Sequence, residues 1–380
     1  MDEPAVREQL RAVEDPDLGG NIVSLGLVNA LDVDDERIRV SLALGAPYSP
    51  TESRIAARVR ETLADDDRDV ELTARVDDPE PVDDEEVVLP GVKNIVAVAS
   101  GKGGVGKSTV AVNVAAGLSK LGARVGLFDA DVYGPNVPRM VAADQAPRAT
   151  EDDRIVPPER YGMKLMSMAF LVGEDDPVIW RGPMVHKVLT QLVEDVEWGE
   201  LDYMVLDLPP GTGDTQLTIL QTLPLAGAVV VTTPQGVAVD DARKGLRMFD
   251  RHDTTVLGVV ENMAGFRCPD CGAAHDLFGR GGGAAFARTN DLALLGSVPL
   301  DPAVRAGGDE GAPAVLGEGD TADSLRVATE NVADAVGLVQ RREAAERRGG
   351  DPAEGPLSGG VRAEPEPTPA PRGDGEADND

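Results

Sequence analysis

The stretch NIVAVASGKGGVGKSTVAVNVAAGLSKLG, residues 94–122, joins a short apolar strand, a glycine-rich turn and a helical segment. Within it, Gly101 is followed after four residues by Gly106, Lys107 and Ser108, which is the P-loop spacing between a strand and a helix. Glycines allow the backbone to wrap around phosphates, with several N–H groups directed at them at the positive end of the helix. The stretch therefore predicts a nucleotide phosphate site within an α/β fold.

The P-loop spacing assigns a role to the polar groups of the turn. Lys107 is expected to bridge the β- and γ-phosphates of ATP, and the Ser108 hydroxyl to ligate Mg²⁺. A chance glycine-rich turn is the alternative, and the flanking strand and helix weigh against it. The predicted ATP-binding residues of the turn are Gly101, Lys102, Gly103, Gly104, Val105, Gly106, Lys107, Ser108 and Thr109.

One lysine has an unusual position, because Lys102 directly follows the first glycine of the turn. The chain contains only seven lysines, and two of them lie in this turn, which favours a function over a solvated loop charge. GKGGVGKST resembles the deviant P-loop of the family that includes the septum-site ATPase MinD, the partition ATPases and the nitrogenase iron protein. The resemblance implies that Lys102 reaches across a dimer to the partner's nucleotide and is catalytic together with Lys107.

Three aspartates follow predicted strands, at the sheet edge where ligands bind in open α/β folds. Asp129 and Asp131 lie in LFDADVYGPN, and Asp207 lies in YMVLDLPPGTGD. By resemblance, Asp131 is the catalytic switch I aspartate that orients the attacking water, Asp129 organises the Mg²⁺ region, and Asp207 holds Mg²⁺ with Ser108. Gly211 and Gly213 give the following switch II segment its flexibility. For each aspartate alone, a helix cap or a turn residue is the alternative.

Asn262 closes the strand VVEN and resembles the residue that reads the adenine base in the same family. The alternative for Asn262 is an asparagine that only forms a turn. It completes the predicted ATP-binding set.

Short apolar segments rich in Val and Ile alternate with helical segments from Val92 onward. They are NIVAVAS, ARVGLFDA, DYMVLDLP, GAVVVTT and TTVLGVVEN. Strands with so few polar residues are buried on both faces, which is typical of a parallel sheet covered by helices. The predicted fold class is therefore α/β, a P-loop NTPase with a mostly parallel sheet, over residues 92–340.

A small α+β domain is predicted ahead of this sheet, over residues 1–76. Its elements are a helix over 4–14, paired strands in SLGLVNALDV and RIRVSLAL, a helix in TESRIAARVRETLA with Thr51 as N-cap, and a strand in DVELTARV. Residues 77–91 are acidic and contain proline, which predicts a solvated linker. Residues 341–380 are poor in apolar side chains and predict a disordered acidic tail.

The overall charge limits the classes of partner. A formal net charge of −31 over 380 residues, with a pI near 4.4, predicts no nucleic-acid binding and disfavours anionic membrane surfaces. The amino terminus MDEPAVREQL lacks the charged and apolar regions of a secretory signal, and no apolar run is long enough to span a bilayer. We therefore expect a cytoplasmic protein with reduced thiols.

Cys268 and Cys271 are the only cysteines in the chain, and their spacing suits a shared metal. A redox dithiol, a zinc site and an iron–sulfur cluster all use this spacing. Redox exchange ranks lowest, because the motif has no βαβ unit of its own. Zinc or a cluster normally takes four ligands, and His275 is a candidate third ligand. Two copies meeting on a two-fold axis would supply four cysteines without it.

Several segments together resemble the Mrp/ApbC family of iron–sulfur carrier ATPases. They are WRGPM (180–184), DLPPGTGD (207–214), ENMAGFRCPDCG (261–272), FGRGGG (278–283) and GSVPLDPAVRAGGDEGAP (296–313). The resemblance implies a homodimer that holds a bridging [4Fe–4S] cluster on Cys268 and Cys271 and delivers it to apo iron–sulfur proteins under the control of ATP. The amino-terminal segment resembles the MIP18-type (DUF59) domain, whose usual turn cysteine is replaced here by Ser49 in APYSP.

Three other functions are compatible with a P-loop ATPase of this kind. A MinD-like spatial regulator would carry a basic amphipathic helix at its carboxyl end, whereas this chain ends in an acidic, proline-rich segment. An electron-transfer protein like the nitrogenase iron protein has its ligating cysteines far apart in sequence. An ATPase dimer stapled by zinc through Cys268 and Cys271 remains open at the level of sequence.

Overall fold

A mostly parallel sheet of nine strands, built around the strand that leads into the P-loop, forms the larger part of the described molecule. The computed structural model describes residues 2–76, 88–171, 182–268 and 270–353. Residues 77–87 of the predicted linker, Trp180 and Arg181 of the WRGPM motif, Pro269 and the chain beyond residue 353 lie outside the described residues. A smaller α+β unit precedes the sheet.

The amino-terminal unit combines two helices with short strands. Its elements are α1 Glu3–Gln9, β1 Glu14–Asp15, β2 Gly20–Asn21, β3 Val28–Val33, β4 Arg37–Leu42, α2 Pro50–Thr62 and β5 Asp69–Ala74. Strands β3 and β4 form an antiparallel hairpin, and β5 joins β4 in parallel orientation after helix α2. The predicted strands and second helix are confirmed. The first helix is shorter than predicted, because it ends at Gln9 and continues as a 3₁₀ turn over Leu10–Ala12.

The N-cap of helix α2 lies two residues earlier than predicted, at Ser49 rather than Thr51. The Ser49 hydroxyl accepts a hydrogen bond from the Glu52 N–H group at 3.1 Å, which makes Ser49 the N-cap. Pro50 fills the first helical position, where a missing N–H is harmless. Ser49 is fully buried and also donates to Asp334 Oδ1 at 2.5 Å. The residue that replaces the usual turn cysteine therefore caps a helix and contacts the carboxyl-terminal helix.

The large sheet contains every strand predicted from Val92 onward and adds others. Its strands are β6 Ile95–Ser100, β7 Val125–Asp129, β10 Glu159–Arg160, β11 Met163–Ser167, β12 Tyr203–Asp207, β13 Gly227–Thr232, β14 Val256–Arg267, β15 Ala274–His275 and β16 Leu294–Leu300, while β8 Arg148–Ala149 and β9 Ile155–Val156 form a separate pair. The parallel strands are ordered β11-β7-β12-β6-β13-β14-β16. The short strands β10 and β15 are antiparallel to their neighbours. The mostly parallel sheet is confirmed.

Helices cover both faces of this sheet. They are α3 Lys107–Leu121, α4 Val137–Met140, α5 Gly182–Glu194, α6 Asp214–Thr222, α7 Gly236–Arg251, α8 Gly282–Thr289, α9 Pro302–Glu310 and α10 Asp320–Arg347. Successive strand residues point to opposite faces. Val96 and Val98 pack with α3 and α10, whereas Ile95 and Ala97 pack with α5 to α8. This alternation of two apolar cores explains why the strands contain so few polar residues.

Helix α10 links the large sheet to the amino-terminal unit. Its first half packs in the core that contains α3, while Leu338, Ala344 and Ala345 belong to the core of the amino-terminal unit. The predicted start of a disordered tail at residue 341 is therefore wrong. The helix continues to Arg347, and the chain remains in contact up to Ala353, whose N–H group donates to the Leu18 carbonyl at 2.9 Å.

The tail boundary was misplaced because Arg341 has partners that are remote in sequence. This guanidinium is fully buried and forms ion pairs with Asp15 at 2.8 Å, Asp17 at 2.7 Å and Glu52 at 3.3 Å. A buried charge needs such partners, since its desolvation is costly. Local composition cannot reveal them, so an arginine among other charged residues looked like the start of a solvated segment.

The amino-terminal unit docks at the amino ends of the parallel strands. The Tyr203 hydroxyl, at the start of β12, donates to the Pro47 carbonyl at 2.7 Å. The Asn94 side chain, just before β6, donates to the Gly45 carbonyl at 2.8 Å, and the Tyr48 hydroxyl donates to the Gly122 carbonyl at 2.8 Å. The P-loop lies at the carboxyl end of β6, at the opposite edge of the sheet. Within the described residues, no helix combines the length and apolar character needed to cross a membrane.

We predict that Arg341→Ala lowers the free energy of unfolding by about 3–5 kcal/mol, because it leaves three buried carboxyl groups without their cation. Arg347→Ala, which removes a half-exposed arginine from the same helix, is the control and should cost less than about 1 kcal/mol. Urea denaturation of both variants measures the difference. Similar losses in the two variants would contradict the proposed weight of the buried network.

The pH dependence of stability should reflect Glu52. Burial raises the pKa of Glu52 to about 7, against the opposing effects of Arg341 and of the N–H groups of Ala46 and Gly45. Between the ordinary glutamate pKa of 4.5 and about 7, the folded protein retains a proton that the unfolded chain releases, so this group makes stability fall as pH rises. In Glu52→Gln we expect the slope of unfolding free energy against pH to be less negative in this window, by up to about 1.4 kcal/mol per pH unit. Urea denaturation at several pH values measures this slope. Parallel profiles of unfolding free energy against pH for the wild type and Glu52→Gln would contradict the expectation.

Candidate functional site

Two glycines of the P-loop, Gly101 and Gly106, lie where a side chain would not fit. Gly106 caps helix α3 with φ of 85°, and a Cβ there would lie 2.0 Å from the Asn262 amide nitrogen. A Cβ on Gly101 would lie 2.1 Å from the backbone carbonyl carbon of Asp241 in helix α7. The loop is therefore held between α7 on one side and Asn262 on the other. The first turn of α3 presents its N–H groups toward the predicted phosphate position.

Lys107 lies in a buried ion pair at the start of α3. Its Nζ donates to Asp207 Oδ1 at 2.5 Å and to the Ser108 hydroxyl at 3.3 Å. Both charged side chains of the pair are almost fully buried. The structure thus brings together three of the predicted site residues, from the P-loop and from the carboxyl end of β12.

The carboxyl ends of three neighbouring strands form a row of polar side chains. In the strand register, Asp207 of β12 lies beside Asp129 of β7, which in turn lies beside Ser167 of β11. The Ser167 hydroxyl donates to Asp129 Oδ2 at 3.0 Å, and the Val137 N–H group donates to the same oxygen at 3.1 Å. Burial, reinforced by the Asp207 carboxylate, raises the pKa of Asp129 to about 7. Asp129 therefore organises the loop that follows β7.

The residues predicted for magnesium fit that ion. Asp207 Oδ2 is buried and makes no hydrogen bond within the described part of the chain. Burial raises the pKa of Asp207 even though Lys107 opposes the shift. Hydroxyl and carboxylate oxygens are the ligands that Mg²⁺ prefers, and Ser108 and Asp207 offer one of each beside the P-loop. Both carboxylate oxygens of Asp129 accept hydrogen bonds, so Asp129 holds the neighbouring backbone and Ser167 in place beside Ser108 and Asp207.

Asp131 begins the loop after β7 and shapes it. Its Oδ1 accepts hydrogen bonds from the N–H groups of Tyr133 and Gly134, both at 3.2 Å. The Asp131 side chain is nearly buried, whereas Tyr133 is 72% exposed. Asp131 lies on the same edge as Asp207, which is compatible with the predicted role in orienting a water, and that role stays a prediction.

Asn262 contacts the P-loop directly. Its side-chain amide donates to the Val105 carbonyl at 2.9 Å, and only 7% of the residue is exposed. The role in adenine recognition stays a prediction, whereas the support of the loop is an observed contact. The contact also explains why no side chain fits on Gly106.

The two P-loop lysines differ in their surroundings. Lys107 is buried and paired, whereas Lys102 is partly exposed and its ammonium makes no ion pair within the described residues. A lysine free to extend from the loop is compatible with the predicted contact to a second subunit.

Cys268 and Cys271 lie in a tight turn that extends from the sheet. Strand β14 continues beyond its buried part to Arg267, and β15 returns antiparallel to it. The Cys268 N–H group donates to the Ala273 carbonyl at 2.9 Å, and the Gly272 N–H group donates to the Cys268 carbonyl at 2.8 Å. Both thiols are free. The turn is therefore the tip of a hairpin.

The backbone of this turn favours the thiolate form of Cys268. The N–H groups of Cys271 and Asp270 lower the pKa of the Cys268 thiol. Thiolates are the form that binds metals. Cys268 is half-buried and Cys271 is exposed, as is His275 in β15. No group of three or more metal-binding side chains was found among the described residues, so His275 does not complete a site within one chain.

Two polar residues beside the site, Ser167 and Glu261, were not predicted from the sequence. Ser167 was missed because strand β11 was not predicted. It is the last residue of that strand, directly after an apolar run. Glu261 is the first residue of the segment ENMAGFRCPDCG, and the sequence predicts no role for it. It is nearly buried, and its Oε1 accepts a hydrogen bond from the Gly283 N–H group at 2.6 Å. A carboxylate inside the apolar strand TTVLGVVEN was the signal available.

Residues 91–336 match the family model described as NUBPL iron-transfer P-loop NTPase, and residues 3–72 match the model described as iron-sulfur cluster assembly protein. The chain belongs to this P-loop NTPase family. The predicted resemblance and fold class are thereby confirmed. The two matched ranges correspond to the large sheet and to the amino-terminal unit.

Similar proteins cover both units. A protein of Synechocystis sp. named iron-sulfur cluster carrier protein is 43% identical over 346 residues, which cover 88% of this chain and 98% of that protein. One of the same name from Deinococcus radiodurans is 44% identical over 341 residues, covering 88% of this chain and 95% of the relative. A solved nucleotide-binding protein from Archaeoglobus fulgidus in complex with ADP is 37% identical, with a TM-score of 0.53 over 59% of this chain and 88% of that chain.

We predict that Asn262→Ala weakens binding of ATP and GTP by roughly tenfold, because the P-loop loses a buried hydrogen bond. If Asn262 also reads adenine, the loss should be larger for ATP than for GTP. Competition titrations with a fluorescent nucleotide analogue measure both affinities. Equal losses for the two nucleotides would rule out the adenine role and leave only the support of the loop.

Proposed function

We propose that the protein is an ATP-dependent carrier that binds an iron–sulfur cluster and transfers it to apoproteins. The observation that carries this proposal is the turn with Cys268 and Cys271, which directly follows strand β14, the strand whose Asn262 contacts the P-loop. The names of the relatives support it, and they do not favour a MinD-like spatial regulator.

The cluster is proposed to lie between two copies of the chain. One chain offers two cysteines, whereas clusters of the [4Fe–4S] type take four thiolates. A two-fold axis beside the hairpin tip would bring two copies of Cys268 and Cys271 together. Lys102 supports the same homodimer, since its partly exposed ammonium is available to a partner's nucleotide. The thiolates and the nucleotide loop thus require the same second subunit.

The exposure of the thiolates suits cargo rather than a resident cofactor. Cys271 is exposed and Cys268 is half-buried at the end of a hairpin, so ligands from another protein can reach metal held there. A group retained permanently is usually enclosed by protein, which limits solvent access. An apo iron–sulfur protein could therefore replace the carrier's thiolates with its own at this tip.

The nucleotide site supplies the energy and the timing. The P-loop N–H groups and Lys107 bind the phosphates, and Lys102 of a second subunit neutralises charge that develops during transfer of the γ-phosphate. Asp131 orients the attacking water. Mg²⁺ held by Ser108 and Asp207 would add charge neutralisation when bound. Binding or hydrolysis of ATP is proposed to alter the separation of the two cysteine turns and thereby the hold on the cluster.

Anaerobic reconstitution with iron and sulfide tests this proposal. We expect about four iron atoms per pair of chains, together with a dimer in solution and a visible absorption band. Cys268→Ser and Cys271→Ser should each abolish iron binding without loss of nucleotide binding. Lys107→Ala should bind iron but transfer it to an apoprotein at a rate that no longer depends on ATP.

Two results would refute the carrier function. Purified dimer that holds zinc and takes up no iron would favour the zinc-stapled ATPase. Wild-type protein that transfers its cluster equally fast with and without ATP would remove the coupling to nucleotide.

A further inference from the structure

The segment that carries the cysteines is closed at its base by one buried hydrogen bond. We define the cysteine excursion as residues 263–281, which connect Asn262 to the start of helix α8 and include the outer part of β14 and the short strand β15. The Gly283 N–H group donates to Glu261 Oε1 at 2.6 Å, so this bond joins the two ends of the excursion. Glu261 is only 3% exposed. Its carboxylate therefore fixes where the excursion leaves and re-enters the fold.

Close backbone packing holds the same base in place. A Cβ on Gly282 would lie 2.2 Å from the Pro234 carbonyl oxygen, and one on Gly283 would lie 2.9 Å from the Cβ of Glu261. Pro234 lies just before helix α7, whose backbone at Asp241 presses on Gly101 of the P-loop. The glycines of the FGRGGG motif thus allow three backbone segments to meet between the P-loop and the excursion.

The neighbouring residue provides a second link to the P-loop. Asn262 donates to the Val105 carbonyl at 2.9 Å, while Glu261 contacts helix α8. Side chains of adjacent strand residues point to opposite faces, so these two contacts lie on different sides of one strand. Asn262 therefore connects the P-loop at Val105 to β14 at the point where the excursion begins.

Strand β14 changes direction immediately after Glu261 and Asn262. Met263 has φ of 57° and Gly265 has φ of 143°, and the pairing of β14 with β16 is irregular between Asn262 and Phe266. Regular ladder geometry is lost there, so the outer hairpin takes its orientation from the residues at its base. Cys268 follows three residues beyond Gly265.

The buried carboxyl group of Glu261 lowers the stability of the fold at this position. Burial raises its pKa, and the Gly283 N–H bond is the one opposing contribution. A buried carboxyl group costs stability unless its hydrogen bonds compensate, and an apolar side chain would fill the same space without that cost. Its specific contribution is geometric, since it fixes α8 to β14.

We propose that Glu261 is the positioning residue that couples nucleotide occupancy of the P-loop to the geometry of the cysteine turn, by clamping the base of the excursion to helix α8. The inference rests on the proposed function only in taking Cys268 and Cys271 as the residues that bind the cargo. Without the clamp, the backbone packing on Pro234 and the Asn262 contact remain, but β14 loses its fixed connection to helix α8, and with it the response of the cysteine turn to nucleotide.

The two cysteines provide a direct readout, because the chain has no others. The rate of thiol alkylation in the metal-free, reduced protein is measured with and without Mg·ATP. In the wild type, we expect nucleotide to change this rate by about fivefold or more. In Glu261→Ala the change should fall to less than about twofold, while nucleotide binding, and dimer formation followed by light scattering, are retained. Glu261→Gln keeps an acceptor for Gly283 and should keep the response.

Asp334→Ala is the matched control, because it also removes a buried carboxylate that accepts a hydrogen bond from the backbone. The donor is the Thr51 N–H group at 2.9 Å, and the contact lies at the edge of the sheet opposite the P-loop. It should lose stability but keep the response to nucleotide. If Glu261→Ala does not fold, Gly283→Ala, which crowds the same contact, replaces it and should also lose the response.

A full nucleotide response in Glu261→Ala, or its loss in Asp334→Ala as well, would overturn the inference. So would a wild-type alkylation rate that nucleotide leaves unchanged. Iron binding by the wild type is scored separately, so failure of the carrier proposal remains distinguishable from failure of the clamp.

Discussion

The buried ion pair between Lys107 and Asp207 is the interaction on which the nucleotide site depends. It joins the first residue of the P-loop helix to the end of β12, the strand beside β6, and both charged groups are almost fully buried. Such a pair is tolerated only where further polar groups surround it, and the structure supplies the Ser108 hydroxyl and the neighbouring Asp129. Because parallel strands end together, these groups converge although they lie far apart in sequence.

The two edges of the large sheet have different roles. The carboxyl edge carries the P-loop, the aspartates and the strand that leads to the cysteines. The amino edge receives the amino-terminal unit, through Tyr203, Asn94 and the turn that contains Ser49. Ser49 is therefore separated from Cys268 of the same chain by the length of the sheet, and its buried hydroxyl serves helix capping and docking. A cysteine at that position would face Asp334 rather than the cargo.

The sequence was most informative where a function depends on local spacing. The P-loop, the strand-end aspartates and the pair Cys268 and Cys271 could be recognised because a few consecutive residues define each of them. Ser167, Glu261 and Arg341 could not, since each gains its role from a partner on another element. Arg341 was placed in a disordered tail for this reason, although it is fully buried. The prediction of Thr51 as the N-cap was wrong because Ser and Thr both cap helices, and the sequence does not show at which of the two positions the helix begins.

Helix α10 has a consequence for the order in which the chain can fold. The amino-terminal unit emerges first during synthesis, yet Leu338, Ala344 and Ala345 complete its apolar core and Arg341 neutralises its acidic groups. These residues are made more than two hundred and fifty positions after the end of β5. The amino-terminal unit therefore keeps part of its interior unfilled until helix α10 has been synthesised.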